Sequence, residues 1–472
     1  MNRDALNRLS KNELIDLVER QACRIEDLGK QVDGLEQRID ELTRQVHRAA
    51  APFGRPDSKR NSAPKRPGRK GGHQGCSRAR PTDEKIDQHI EVPLDTCPHC
   101  GDRLATNGAR AIEQTIVEIP PLTPKLVRLV TWRKRCNGCG QKVASSHPLQ
   151  VSTAVGAAGV QLGPRALGIA ASLNKGLGLT MRKTCRVLHD LLGLQLTPGG
   201  LSQALARIGR RLELNYQDLL QSVKSQDVIY TDETSWWVGE ASYSLWVLTN
   251  DAGTCYRVVS SRSKAAAADL IDPAYQGVLV SDCLNIYDNL TAHQHKCYAH
   301  HLKAIAEALA RPTARGSPYL HNMRALLKGA IALKEVQSDL PEANFRQMRV
   351  ALEESATRLL SASRLVATDG EVPDDAQARC EEGIRLRLAK QRDHLFTFLD
   401  HEVVEATNNR AERQLRPAVI TRKLSCGNKT ETGARTWQIL ASLAATCHQA
   451  GTSFIEYVAP KMTVIATDAL PR

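Results

Sequence analysis

The chain carries the stretch VIYTD at residues 228–232, a run of β-branched and aromatic residues that ends on the carboxylate of Asp232. A second run of this kind, VLVSD at residues 278–282, ends on Asp282. Short apolar runs of this composition are typical of buried strands. Because a strand delivers its last side chain to a fixed place at the edge of a sheet, the two runs predict an aspartate at the end of each of two strands.

Both runs belong to a series of predicted strands between residues 226 and 301. Helical periodicity begins at Lys264, after the third strand, and again at Leu302. The order strand, strand, strand, helix, strand, helix predicts a ribonuclease-H-like α/β sheet, in which the first and fourth strands are neighbours. We therefore expect Asp232 and Asp282 to lie side by side. The predicted strands are 228–230, 244–248, 255–259, 278–280 and a shorter one near 296–298.

A third carboxylate, Glu412, lies in the segment NNRAER at residues 408–413. The long gap before it has helical patterns over residues 302–400, which predicts an all-α insertion. Three converging carboxylates can hold two Mg²⁺ or Mn²⁺ ions for phosphoryl transfer, because these cations prefer hard oxygen ligands. Two other interpretations remain open here. Either aspartate can form a turn at a strand end, and Glu412 can join Asn409 in a helix capping box.

Several other side chains are candidates for the surroundings of these acids. Cys297 and His300 form a C-x-x-H pair that either supports the core or binds a metal. Trp236 and Trp237 either stack on nucleic acid bases or fill the core. The residues around Glu412 that we predict to contact phosphates, or else to form a solvated face, are Arg410, Arg413, Arg416, Arg422 and Lys423.

The composition indicates a soluble, multidomain protein with a phosphate-rich partner. At 472 residues the chain is too long for one hydrophobic core, so about two to four domains are expected. Its net charge of +13 and pI near 9.2 suit a nucleic acid backbone. No segment has the roughly 20 apolar residues of a membrane span, and the N-terminus does not resemble a secretory signal. We therefore expect a cytoplasmic protein that does not enter membranes.

The N-terminal region has a heptad repeat over residues 14–46. β-branched residues recur every seven positions, and leucines occupy the second seam except at Gln21. This pattern favours a parallel two-stranded coiled coil over a single amphipathic helix packed on its own domain. We therefore predict a homodimer or a higher oligomer. Residues 48–87 are rich in proline, glycine and basic residues, so they are interpreted as a disordered linker that contacts DNA or is simply solvated.

Four cysteines fall into two C-x-x-C pairs between residues 88 and 150. A glycine follows each pair and allows a tight turn, which is typical of a structural zinc site with four thiolates. Such a site has no open position, so a catalytic role for this zinc is not expected. β-type runs at 115–119 and 127–130 lie between the pairs and favour a small zinc-ribbon-like module. The predicted ligands of one Zn²⁺ ion are Cys97, Cys100, Cys136 and Cys139.

Residues 151–225 have helical patterns. Thr180 can cap one helix, Thr197 followed by proline can open another, and Gly193 lies between them. Two short helices around a glycine turn resemble a helix-turn-helix, although ordinary helical packing explains the same pattern. The predicted DNA contacts of these helices are Arg182, Lys183, Arg207 and Arg210.

The chain resembles bacterial transposases of the insertion sequence 66 family over nearly its whole length. The motifs that carry the resemblance are GRKGG at 68–72, YTDET at 230–234, LVSD at 279–282, CYAH at 297–300 and TNNRAERQLRP at 407–417. The chain departs from the family at residues 283–285, where CLN replaces the common glycine and aromatic residue. The resemblance favours metal ligation by Asp232, Asp282 and Glu412, with Asn408 and Asn409 close to the site.

The resemblance implies a multidomain α/β transposase with a DDE core and two catalytic metal ions. It would bind the terminal inverted repeats of its own mobile element, and cleave and join DNA in the bacterial cytoplasm, at the nucleoid. Double-stranded element ends, target DNA and accessory proteins of the same element are the expected partners. The alternatives are a catalytically silent DNA-binding protein and a nuclease that does not join strands. The predicted domains are a coiled coil at 1–47, a linker at 48–87, a zinc module at 88–150, a helical DNA-binding region at 151–225, the catalytic core at 226–301 and 401–433, an insertion at 302–400 and a C-terminal helical region at 434–472.

Overall fold

A computed structural model of the chain describes residues 79–105, 110–152, 159–361 and 376–463. The chain divides into two compact units, Met1–Pro121 and Leu122–Arg472. The predicted coiled coil and most of the basic linker lie outside the described residues, so both stay predictions. No helix of the described ranges is both long enough and apolar enough to cross a membrane.

The described part of the first unit contains one 3-10 turn, Asp83–Lys85, and an isolated β-bridge between Thr96 and Arg103. The β-type runs at 115–119 and 127–130 are not strands, so that part of the zinc-ribbon prediction was wrong. The first run belongs to the first unit and the second to the second unit. Neither pairs with a described neighbour, and Ile116 and Val130 are exposed. β propensity alone does not form a strand, because a strand also needs a partner that accepts its hydrogen bonds.

The second unit is a mixed α/β structure. Strands β1 and β2 form a hairpin on either side of Cys136 and Cys139, and five further strands form one sheet. In chain order the elements are β1 Arg133–Arg135, β2 Lys142–Ala144, α1 Pro164–Ala171, α2 Met181–Leu192, α3 Pro198–Arg211, α4 Glu213–Lys224, β3 Val228–Val238, β4 Ala241–Asn250, β5 Gly253–Val259, α5 Lys264–Leu270, β6 Val278–Ser281, β7 Gln294–Lys296, α6 Tyr298–Ala310, α7 Pro318–Glu335, α8 Glu342–Ser361, α9 Ala376–Ala389, α10 Thr397–Asp400, α11 Asn409–Ser425, α12 Glu431–Gln449 and α13 Phe454–Val458.

The large sheet has the strand order β5-β4-β3-β6-β7. β3 is antiparallel to β4 and parallel to β6, so the first and fourth strands of this region are neighbours, as predicted. One expectation was wrong: Asp232 does not end its strand, because β3 continues to Val238 in its pairing with β4. What ends near Asp232 is only the pairing of β3 with β6, whose last partners are Tyr230 and Val280.

The two faces of the sheet pack against different groups of helices. On one face, Val228, Tyr230 and Val280 share a core with the helices of residues 298–400. On the other face, Ile229 and Leu279 share a core with helices α1 to α4, α12 and α13. This alternation follows from the two-residue period of a strand. Because α1 to α4 and the sheet share one core, the boundary predicted at residue 225 does not separate two hydrophobic cores.

Helix α12 covers the outer edge of the sheet with side chains instead of another strand. The amides of Thr254, Tyr256 and Val258 on β5 donate to α12 side chains over 2.8 to 3.1 Å. The acceptors are Thr446, Ser442 and Gln438, which are spaced by one helical turn. A helix rises about 6 Å in four residues and a strand about 6.6 Å in two, so the two rows stay in step. The boundary predicted at residue 433 falls inside this helix, two residues after its start.

We expect Ser442→Ala to destabilise the chain by about 1–3 kcal/mol, because the amide of Tyr256 would stay buried without its acceptor. Urea unfolding followed by circular dichroism measures this change. The matched control is Ser202→Ala on the exposed face of α3, which should change the free energy of unfolding by less than about 0.5 kcal/mol. Equal effects of the two substitutions would contradict the role of Ser442.

Candidate active site

The strand register brings Asp232 and Asp282 to the same level of the sheet. Val228 pairs with Val278 and Tyr230 with Val280 in the parallel ladder. Two residues further along both strands lie the aspartates, Asp232 still within β3 and Asp282 directly after the last residue of β6. Their carboxylates interact electrostatically, since the negative charge of Asp282 contributes to the raised pKa of Asp232.

Glu412 reaches the same place because the start of α11 is attached to β3. The side chain of the buried Asn408 donates a hydrogen bond to the carbonyl of Thr231 over 2.7 Å, next to Asp232. Glu412 lies in the first turn of α11. The capping-box alternative needs Asn409 as the N-cap, but the helix begins at Asn409 and its N-cap is Asn408, without a side-chain cap hydrogen bond. Glu412 therefore does not form the capping box with Asn409.

Burial and neighbouring negative charges raise the pKa of Asp232 to about 7. Burial has the largest effect, and the charges of Glu233, Asp282 and Glu412 add to it. The amide of Glu233, which donates to the Asp232 carboxylate over 2.9 Å, opposes this change. A cluster of carboxylates that is destabilised in its ionised form favours the binding of a cation, and its oxygen donors fit Mg²⁺ or Mn²⁺.

A buried network beside Asp232 was missed by the sequence analysis. The side chain of Glu233 is only 1% exposed. It accepts a hydrogen bond from Nε of Arg262 over 3.0 Å and another from the hydroxyl of the buried Tyr287. The signal was present in the sequence, because a residue next to Asp232 on a continuing strand points to the opposite face. It was overlooked because the strand was expected to end at Asp232.

We expect Tyr287→Phe to lower the free energy of unfolding by about 1.5–3 kcal/mol, because Glu233 would lose a donor to its buried carboxylate. Chemical denaturation at neutral pH measures the loss. Tyr275→Phe is the matched control, because the Tyr275 hydroxyl donates to the carbonyl of Gln226 at an exposed position. Equal losses of stability in the two variants would contradict a stabilising role for the hydrogen bond between Tyr287 and Glu233.

The structure places the arginines and lysines around Glu412 in two classes. Arg410 forms ion pairs with Asp251 at 2.7 Å and Glu405 at 3.2 Å and lies over the ring of Tyr230. Arg422 donates hydrogen bonds to Thr234 and Ser235, so both arginines hold α11 against the sheet. The other side chains of the predicted phosphate contact are exposed, and their contact with DNA stays a prediction. They are Arg413, Arg416 and Lys423.

Of the two tryptophans next to the site, one fills the core and the other is exposed. Trp236 is fully buried, and its ring nitrogen donates to Asn428 over 2.9 Å, so it belongs to the core. Trp237 is 46% exposed. Only Trp237 is therefore available for stacking on a base.

The predicted helix pair has the capping residues that the sequence indicated. Thr180 accepts a hydrogen bond from the amide of Lys183, and Thr197 accepts one from the amide of Gly200. Gly193 ends the first helix in the left-handed conformation, with φ of +63°. Three of the predicted DNA contacts are exposed and one is half-buried, so the DNA role of this pair stays a prediction. The exposed residues are Arg182, Lys183 and Arg210, and the half-buried one is Arg207.

Each C-x-x-C pair forms the same kind of turn. The carbonyl of Cys97 accepts from the amide of Gly101, and the carbonyl of Cys136 accepts from the amide of Gly140, both over 2.9 Å. Both glycines have positive φ. Backbone N–H groups lower the pKa of the first cysteine of each pair, those of His99 and Cys100 for one and of Cys139 and Gly138 for the other. Since the pairs belong to different units, a shared zinc ion stays a prediction.

The C-x-x-H pair lies against Glu412. Cys297 precedes α6, and its sulfur accepts a hydrogen bond from the amide of Asn408 over 3.1 Å. Cys297, His300 and Glu412 each offer a donor atom, and these three atoms lie within 4.8 Å of one another. The structure thus brings the C-x-x-H pair and the third acid together.

Comparison with known proteins gives a consistent result. Residues 159–436 match the family described as "Transposase IS66 family". Two similar proteins from Sinorhizobium fredii are the uncharacterized protein y4qI, 25% identical over 58% of this chain and 54% of its own length, and the uncharacterized protein y4jD, 25% identical over 53% and 52%. The chain spans about half the length of these curated relatives. The family match covers more than half of the chain, including all three acids, and the chain therefore belongs to the IS66 transposase family.

Proposed function

We propose that this chain is a DNA transposase that binds the terminal inverted repeats of an insertion sequence, cleaves the DNA there and joins the ends to a target. The observation that carries the proposal is the convergence of Asp232, Asp282 and Glu412 where the pairing of β3 with β6 ends. The family membership supports it. The order of the sheet, in which β3 lies between β4 and β6, supports a ribonuclease-H-like core.

The proposed mechanism divides the work among the residues of the site. Asp232, Asp282 and Glu412 would hold two Mg²⁺ or Mn²⁺ ions. When bound, such ions activate a water or a 3′-hydroxyl and stabilise the leaving oxygen. Asn408 positions Glu412 by its bond to the Thr231 carbonyl. Glu233, fixed by Arg262 and Tyr287, holds the backbone of β3 on the side opposite to Asp232.

The remaining parts of the proposal concern DNA and assembly. The exposed Arg413, Arg416 and Lys423 suit contacts to phosphates near the scissile bond. Helices α2 and α3 and the zinc module predicted over residues 88–150 would recognise the element ends. The heptad segment at 14–46 would join protomers so that two ends are held together, with accessory proteins of the element as further partners.

The test of the proposal is a strand-joining assay. The purified full chain is incubated with Mg²⁺, a target plasmid and double-stranded DNA taken from the inverted repeats beside its gene. Joined product is the expected result, and omission of Mg²⁺ should abolish it. Cleavage without joining would support the nuclease instead, and retarded migration of the DNA without any cleavage would support the silent DNA-binding protein. Either outcome contradicts the proposed transposase.

A further inference from the structure

Glu412 lies near two sets of possible ligands. Its charge and that of Asp282 both act on Asp232. A thiol and an imidazole from the start of α6 lie within 4.8 Å of its carboxylate. Cys297 and His300 belong to one C-x-x-H turn, whose geometry is fixed by the hydrogen bond from the His300 amide to the Cys297 carbonyl at 3.2 Å. The side chains of this turn thus reach Glu412 from a separate helix.

The three donor atoms are almost close enough to share an ion. They lie within 4.8 Å of one another. Around a tetrahedral zinc ion, with Zn–S of ~2.3 Å and Zn–N of ~2.0 Å, neighbouring ligand atoms are roughly 3–4 Å apart. Small rotations of the half-exposed Glu412 and His300 side chains would close the difference.

His300 has an unused donor or acceptor directed at this place. Its Nδ1 atom is buried and makes no hydrogen bond. The nearest carboxylate oxygen of Glu412 is 3.9 Å away, which is too long for a hydrogen bond. Buried polar atoms are rarely left without a partner, so this nitrogen requires an explanation. A metal ion between Nδ1 and the carboxylate supplies one.

The sulfur of Cys297 is held in place beside Glu412. The residue is fully buried, and its sulfur accepts a hydrogen bond from the amide of Asn408. Burial raises the pKa of the Cys297 thiol, and this hydrogen bond opposes the rise. A cation that binds the sulfur would therefore displace its proton, since the ligand is the thiolate.

We propose that Cys297, His300 and Glu412 bind a divalent cation of the zinc class, with a fourth position open to solvent. One thiolate, one imidazole and one carboxylate form a softer donor set than three carboxylates, so this site selects zinc over Mg²⁺. Since Glu412 cannot serve both sites fully, zinc bound here would compete with Mg²⁺ for this residue. The competition rests on the proposed function, whereas the binding of zinc does not.

The test measures zinc bound to the full chain in the absence of DNA. After dialysis against buffered zinc, the metal content per chain is determined by mass spectrometry of the elements. We expect His300→Ala and Glu412→Gln each to lose about one equivalent relative to the unchanged chain. His321→Ala removes an exposed histidine on α7 and should keep the full content. Asp232→Asn should keep it as well, because Asp232 is not a ligand of this site.

Cobalt provides a second readout that depends on the sulfur. Replacement of zinc by Co²⁺ should give a thiolate-to-metal absorption band that is weaker in Cys297→Ser and His300→Ala than in His321→Ala. Unchanged zinc content and an unchanged cobalt spectrum in all the ligand variants would overturn the site. Because both measurements omit DNA, a failure here leaves the strand-joining test unaffected, and failure of strand joining leaves these measurements unaffected.

Discussion

Asp232→Asn is expected to lower Mg²⁺-dependent cleavage of element-end DNA by roughly three orders of magnitude, because metal stabilisation of the transition state contributes several kcal/mol. The amide keeps the shape of the carboxylate but loses the charge that would hold the cation. Single-turnover cleavage of a labelled DNA end measures the rate. Binding of the same DNA, measured by fluorescence anisotropy, should stay within about twofold of the unchanged chain, a free-energy change below roughly 0.5 kcal/mol.

The control for this prediction is Asp339→Asn, which removes an exposed aspartate from the helical insertion. It should leave both cleavage and DNA binding unchanged. Cleavage retained in Asp232→Asn would refute the assignment of Asp232 as a metal ligand. A parallel loss of DNA binding would instead point to a damaged fold, which the midpoint of thermal unfolding reveals.

The second large effect is a pH-dependent stabilisation of the chain by Mg²⁺. The pKa of Asp232 is raised to about 7 from its ordinary value of 3.8, first by burial and then by the charges of Glu233 and Asp282. Between these two pH values the folded chain keeps a proton that the unfolded chain has lost. The stabilisation from this group is therefore present at acidic pH and is lost as the pH rises through about 7. The total is on the order of 4 kcal/mol.

Mg²⁺ should restore that stability, because it replaces the proton as the partner of the carboxylates. At pH 8 the cation binds to carboxylates that are already ionised, whereas at pH 6 it must displace a proton. We therefore expect Mg²⁺ to raise the midpoint of thermal unfolding more at pH 8 than at pH 6. Asp232→Asn should abolish this difference. The same Mg²⁺ shift at both pH values, or its persistence in the variant, would contradict the link between the proton and the metal.

The sequence predicted the parts of the sheet that depend on local patterns. The runs at 228–232 and 278–282 are strongly apolar and β-branched, so the place of β3 and β6 and the level of Asp232 with Asp282 followed from them. The extension of β3 to Val238 could not be predicted in the same way. Residues 233–238 read ETSWWV, three polar residues followed by three apolar ones, so they lack the alternation of a half-buried strand. Their strand conformation depends on the pairing with β4.

The contacts around the site were harder to predict from the sequence, because they join residues that are far apart in it. Nothing local indicates that Arg410 pairs with Asp251 or that Arg422 binds Ser235, so both were interpreted as contacts to DNA. The role of α12 was hidden for the same reason. Its polar residues Gln438 and Ser442 resemble an exposed face until β5 is placed beside them.

The cover that α12 provides over β5 also limits how copies of this chain can assemble. Many oligomers form when the edge strand of one subunit pairs with the edge strand of another, which requires a row of free backbone groups. On β5 alternate amides are already bonded to helix side chains, and the opposite edge strand, β7, has only three residues, all of them buried. If copies of this chain assemble to hold two DNA ends, as proposed above, we therefore expect the contacts between them to use helical surfaces or regions outside the sheet. The geometry of each sheet would then be independent of its partner.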